Sequence, residues 1–201
     1  MHDEGYIKFN AICMGTAVPE LTEADPLNKY RRQLYDQKLI GAYPDGIGFG
    51  NISRRLGSTA TFIISGSATG QIPELKPAHY ALVLRADIQN NTVYYVGQTP
   101  ASSESMSHAV LYEACPEIHA VIHVHHRELW QGLKDQLPTT PAEVRYGSPE
   151  MAEAILWLLK GTKLRESGVF ISAGHEEGIF AFGETLAQAY ERINTLWPVK
   201  T

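Results

Sequence analysis

The sequence predicts one mixed α/β domain on a largely antiparallel sheet, and three observations carry that expectation. Short runs rich in Val, Ile, Thr and Tyr are separated by polar turns. Four longer segments carry apolar residues at helical spacing. Hairpin-type connections outnumber clear β-α-β crossovers. A chain of 201 residues suffices for one sizeable core and is short for two.

Residues 1–22 carry little periodicity and read as an N-terminal arm or a leading strand, with the domain proper over 23–201. A helix is expected from Asp25 to Leu39, with Leu27, Tyr30, Leu34 and Lys38 on one stripe, stopped by Gly41 and the turn Pro44-Asp45-Gly46. Thr59–Ser65 reads as a strand leading into the small-residue loop Gly66–Gly70. Tyr80–Asp87 and Thr92–Val96 read as a hairpin turning at Asn90-Asn91. A helix over Ser103–Ala114 closes at Cys115-Pro116, and the strand after it carries histidines. Ser148-Pro149-Glu150 is a strong helix start, with a capping hydroxyl, a first-turn proline and an early acid. Met151, Ile155, Leu158 and Leu159 form its buried stripe. Gly168–Ser172 and Gly178–Phe182 read as short strands around Gly174-His175-Glu176-Glu177. A last helix over Glu184–Leu196 turns Leu186, Ala189, Tyr190, Ile193 and Leu196 inward.

A formal net charge of -5 leaves no basic stripe to neutralise phosphates, which excludes a nucleic-acid partner. Lys29-Tyr30-Arg31-Arg32, the nearest thing to one, reads as the solvated face of a helix. Cys13 and Cys115 stand far apart in no ligand spacing and read as free thiols of a reducing cytoplasm. No segment approaches the roughly 20 apolar residues that span a bilayer, so no membrane partner is expected.

The segment Ile118–His126 concentrates four of the eight histidines, and its Ile and Val content reads as a buried strand. Side chains at i and i+2 share a strand face, so His123 and His125 project together. Two imidazoles side by side suit a metal better than an apolar core. A metal needs further ligands, and His175, on a Gly-flanked loop, is the best third. Glu104 is the best acid. It follows Ser102-Ser103 at a helix start, where free N–H groups favour anions. Helix capping alone explains Ser102-Ser103-Glu104 equally well, and Gly50-Asn51-Ile52-Ser53 and Ser65–Gly70 read as ordinary turn chemistry.

Taken in order, Gly50-Asn51-Ile52-Ser53, Ser65-Gly66-Ser67-Ala68-Thr69-Gly70, Ser102-Ser103-Glu104, His123-Val124-His125 and Gly174-His175 with Phe182-Gly183-Glu184 resemble the class II aldolase/adducin family. That family includes fuculose- and rhamnulose-phosphate aldolases, ribulose-phosphate 4-epimerase and a methylthioribulose-phosphate dehydratase. The likeness spans about residues 25–197. It implies a three-layer fold with helices flanking the sheet. It also implies that His123, His125 and His175 hold a divalent metal, usually zinc, with manganese, cobalt or iron(II) as alternatives. Glu104 would be the catalytic acid/base, and Asn51, Thr69, Gly70, Ser102 and Ser103 would cradle a substrate phosphate. A homo-oligomer, usually a tetramer, is implied as well.

The expected function is a metal-dependent, aldolase-type lyase that cleaves a ketose phosphate or related hydroxy-carbonyl compound through a metal-stabilised enediolate. A sugar-phosphate 4-epimerase or dehydratase and a non-enzymatic, adducin-like scaffold are the alternatives. Three departures from the family pattern stand out. The phosphate loop is longer than the usual Thr-Pro-Ser/Thr-Gly. Glu176-Glu177 follow His175 where the family often has Gly. The tyrosine that the aldolases lend from a neighbouring subunit has no counterpart just before Tyr146-Gly147-Ser148-Pro149, where Glu143 stands instead. His126 is expected on the opposite strand face in a structural role.

Overall fold

The computed structural model describes residues 6–196. In chain order these form β1 (Asn10–Gly15), α1 (Leu21–Asp36), β2 (Gly41–Ala42), β3 (Gly48–Phe49), β4 (Asn51–Arg55), β5 (Phe62–Ser65), β6 (Tyr80–Asp87) and β7 (Thr92–Val96). The second half contributes α2 (Ser105–Ala114), β8 (Ala120–His125), α3 (Arg127–Leu133), α4 (Pro149–Gly161), α5 (Leu164–Ser167), β9 (Val169–Ile171), β10 (Gly178–Gly183) and α6 (Leu186–Thr195). Residues 1–5 of the expected arm and 197–201 of the expected domain lie outside the described range.

Eight strands make one sheet in the order β1-β7-β6-β5-β4-β8-β10-β9. Every pairing is antiparallel except that of β1 with β7. Residues 10–15 of the expected arm are thus an edge strand. β2 and β3 form a separate small hairpin. Alternation along the strands divides the core into two apolar clusters. Ile52, Ile63, Ile122, Val124, Ile179 and Ala181 pack with Leu27 and Leu34 of α1 and with Ala189 and Ile193 of α6. Phe62, Ile64, Val121, Phe180 and Phe182 pack with Met106 and Val110 of α2 and with Met151 and Ile155 of α4. The result is a helix–sheet–helix sandwich.

That alternation positions the histidines. Period two sends Ile122 and Val124 to the α1/α6 face, so His123 and His125 share the face of Val121, toward α2. A slip of one residue would exchange imidazoles for Ile and Val in the core, each worth about 1.5–3 kcal/mol when buried. The apolar residues therefore hold the register that aims the histidines.

Helix ends follow local chemistry. Ser148 accepts from the Met151 N–H and Pro149 opens α4, as expected. Thr185 caps α6. α1 is shifted toward the N-terminus of its expected span because Glu20 and Glu23 form a capping box there. Lys38, expected on its buried stripe, lies beyond the helix at φ 61 and is exposed.

Two further expectations are corrected. Gly50–Ser53 is not merely a turn, since Asn51 opens the central strand β4 and pairs with His123. Arg31 is not on a solvated face, being 1% exposed. Both cysteines are free thiols, Cys13 exposed and Cys115 buried. No helix among the described residues is long and apolar enough to cross a membrane.

Candidate metal centre

β8 delivers His123 and His125, and the turn between β9 and β10 delivers His175. All three are buried. Their ring centroids stand 4.9 Å apart in each pair, a near-equilateral triangle. One ring nitrogen from each residue falls within 4.8 Å of the other two, so the group could hold a metal ion. The room comes from Gly178, which faces His125 across the β8–β10 ladder. A Cβ there would come within 3.2 Å of both His123 Cε1 and His175 Cγ.

The ring orientations suit ligation. His123 Nδ1 lies 3.3 Å from the Ile179 carbonyl, and His125 Nδ1 lies 2.9 Å from the Tyr43 hydroxyl. Those contacts occupy the outer nitrogens and leave both Nε2 atoms converging, 3.1 Å apart. A tetrahedral zinc, with Zn–N bonds of about 2.0–2.1 Å, holds its nitrogens about 3.3 Å apart. Partners on the far ring nitrogen are the usual means of fixing a ligating histidine.

Glu104 sits immediately before α2, 2% exposed. Its carboxylate does not cap the helix. Instead Oε1 lies 2.8 Å from His175 Nδ1, and Oε2 accepts from the Ser107 hydroxyl at 2.8 Å. Just upstream, Ser102 Oγ accepts from the Glu104 N–H at 3.3 Å. Burial pushes the Glu104 carboxyl up, but His175 first, then His123 and Ser107, outweigh it and hold the pKa down at about 2. Burial pushes His123 down to about 3, leaving it as the neutral imidazole that metals bind.

A concavity continues from His123 and Glu104 and is lined by all five residues expected to meet a phosphate: Asn51, Thr69, Gly70, Ser102 and Ser103. Asn51 Oδ1 is buried with no hydrogen-bond partner among the described residues, so its amide can serve a bound group. Gly70 is required by close approach, because a Cβ would fall 2.0 Å from the Gly41 carbonyl oxygen. No Lys or Arg among the described residues lines the concavity, but Arg31 stands directly behind its loop. Its guanidinium donates to the carbonyls of Thr69 and Gly70 at 2.9 and 3.3 Å, and of Ile72 and Pro73 at 2.7 and 3.2 Å. Carbonyl and following N–H point opposite ways across a trans peptide, so this turns the Gly70 N–H away from Arg31.

Sequence reasoning missed Arg31, Tyr43 and Tyr146. Tyr146 stacks on His175 at a centroid distance of 4.5 Å, and the Lys8 ammonium lies 3.8 Å from the same ring centre. An aromatic of this same chain therefore walls the site, close to the position at which the resemblance places the family tyrosine. No spacing rule announces it. His126 is structural as expected, though as the cap of α3, accepting from the Leu129 N–H, rather than as a residue of the strand.

The model of the Class II Aldolase and Adducin N-terminal domain matches residues 30–197. The chain belongs to that family. Its members include metal-dependent aldolases, and this chain has the His123/His125/His175 cluster, which could hold a metal ion. Among solved structures, an L-fuculose 1-phosphate aldolase is similar at 21% identity with a TM-score of 0.65, over 89% of this chain and 84% of that one. The L-fuculose-1-phosphate aldolase of Thermus thermophilus is similar at 21% identity and 0.62, over 88% and 90%. YgbL of Klebsiella pneumoniae, described as a putative aldolase/epimerase/decarboxylase, is similar at 17% and 0.64, over 90% and 87%. At such identities the likeness establishes the shared fold. Among curated proteins, none matches this chain.

Proposed function

We propose that this chain is a metal-dependent lyase of the aldolase type, acting on a ketose phosphate or a related hydroxy-carbonyl compound. The observation that carries the reading is the continuity of three converging imidazoles, a buried carboxylate 2.8 Å from one of them, and a cradle of small and hydroxyl residues. His123, His125 and His175 hold the metal, with zinc favoured. Bound there, it would act as a Lewis acid on a substrate carbonyl and its neighbouring hydroxyl. Asn51, Thr69, Gly70, Ser102 and Ser103 hold the phosphate through hydroxyl, amide and backbone N–H groups. Arg31 supplies a positive charge from behind.

Aldol cleavage removes a hydroxyl proton, breaks the adjacent carbon–carbon bond and returns a proton to the carbon left with the electron pair. Glu104 carries the proton, since it is the one carboxylate among the described residues that line the cradle. The protein works as a homo-oligomer, with a tetramer favoured, in the cytoplasm on a phosphorylated sugar. Product analysis with ketose phosphates and zinc-loaded protein tests the reading. Two smaller carbonyl products support it. An epimer or a dehydrated product replaces the lyase with the epimerase or dehydratase of the same family. Protein that takes up no metal and turns over nothing is the scaffold.

A further inference from the structure

Two acids follow His175, and the structure treats them differently. The Glu176 side chain is 58% exposed and pairs with Arg127 at 3.0 Å. The Glu177 side chain is 13% exposed and turns inward. There Oε2 accepts from the Tyr43 hydroxyl at 2.9 Å, and Oε1 accepts from Arg127 Nε at 2.8 Å. The same Tyr43 oxygen lies 2.9 Å from His125 Nδ1. The backbone of Glu177 sits in the left-handed region, at φ 68, with its carbonyl accepting from the His126 N–H at 3.0 Å. That conformation suits glycine and is costly for a residue with a Cβ. A strained residue that persists beside a site is a pointer to what its side chain does.

From this geometry we infer that Glu177 is a positioning residue that fixes His125, through Tyr43, in the tautomer that presents Nε2 to a metal. The argument is one of proton direction. Tyr43 has one proton, and giving it to the Glu177 carboxylate leaves its oxygen as an acceptor facing His125. His125 must then carry its proton on Nδ1, and the lone pair is left on Nε2, beside the Nε2 of His123. Without the carboxylate, the Tyr43 proton can turn toward Nδ1 and stabilise the opposite tautomer, which puts a hydrogen where the metal belongs. Arg127 keeps the carboxylate aimed. The inference rests on the three histidines being metal ligands.

Glu177→Gly is the decisive substitution, because it relieves the backbone while removing the carboxylate. Zinc affinity, measured by competition with a chelator, is expected to fall 10- to 100-fold in Glu177→Gly and in Tyr43→Phe. The thermal midpoint of the metal-free Glu177→Gly protein is expected to be unchanged or raised, which a merely structural role would not give. The double variant should lose little beyond either single one. Nitrogen-15 spectra of the metal-free protein should give His125 as the Nδ1–H tautomer in the wild type and as a mixture in Glu177→Gly. Wild-type zinc affinity and an unchanged tautomer in Glu177→Gly would overturn the inference and leave the metal site standing. A wild type that binds no zinc, manganese or cobalt would overturn the metal reading itself, and the positioning role with it.

Discussion

Two buried imidazole environments lie on the same side of the sheet, and only one resembles a metal site. His108, on α2, is fully buried, and burial pushes its pKa down to about 3, as it does for His123. Depth and protonation state therefore do not separate them. Company does. His108 Nδ1 meets the Ser53 hydroxyl at 2.7 Å, which meets the Tyr112 hydroxyl at 2.7 Å, between the rings of Phe62 and Phe180. That chain of neutral groups ties β4 to α2. His123, His125 and His175 instead turn their rings toward one another, with a carboxylate alongside and a concavity beyond. Convergence of nitrogen atoms marks the candidate centre, and burial alone marks a core residue.

Removing the convergent set should have the largest effect. Wild-type protein is expected to carry about one metal ion per chain by elemental analysis, since one triad of ligands is present among the described residues. A His123→Ala/His125→Ala variant is expected to carry none and to lose turnover altogether. If it keeps both, the comparison fails at its root. Glu104→Gln is next: the metal should stay, while turnover drops on the order of 10²- to 10⁴-fold. An unchanged rate would remove Glu104 from the chemistry.

The other histidine should answer to a different measurement. His108→Leu is expected to retain metal and to cost about 1–3 kcal/mol in urea unfolding, because hydroxyl groups are left behind in the core. Its pH dependence has a definite sign. The unfolded chain accepts a proton near 6.5 that the folded chain refuses until about 3. Its contribution to stability is therefore complete above 6.5 and is lost as pH falls from 6.5 toward 3. Glu104, the charged group facing His108, opposes that trend without cancelling it. The slope over this window should shrink in His108→Leu, and an identical slope would assign it to other groups. The smallest effect is expected of Arg127→Gln: its guanidinium is half-exposed, so its pairs with Glu176 and Glu177 are worth about 0–1 kcal/mol and the urea midpoint should barely move.

Much of this was legible in the sequence where local chemistry and burial agree. The β6–β7 hairpin, the capped start of α4 and the period-two strand β8 follow from turns, caps and alternation, and the apolar alternation already puts His123 and His125 on one face. β4 was not legible. Asn51-Ile52-Ser53-Arg54-Arg55 looks like a polar turn until its distant partners are in place. Ser53 is satisfied by His108 and Tyr112, and Arg55 donates to the carbonyls of Thr59, Tyr112, Cys115 and Ile118. Arg31 was misread for the same reason, since composition cannot tell a solvated cation from one that has exchanged water for backbone carbonyls. The five residues proposed to cradle a phosphate were reachable only through the order of motifs, because their individual segments are ordinary turns and caps.

The placement of Arg31 bears on motion. A loop whose carbonyls at 69, 70, 72 and 73 are held by a buried guanidinium cannot swing out without abandoning a charge inside the protein. That rim of the concavity should therefore breathe together with α1 and exchange its amide hydrogens as slowly as the helix does. Any gate that admits a substrate must open elsewhere along the mouth.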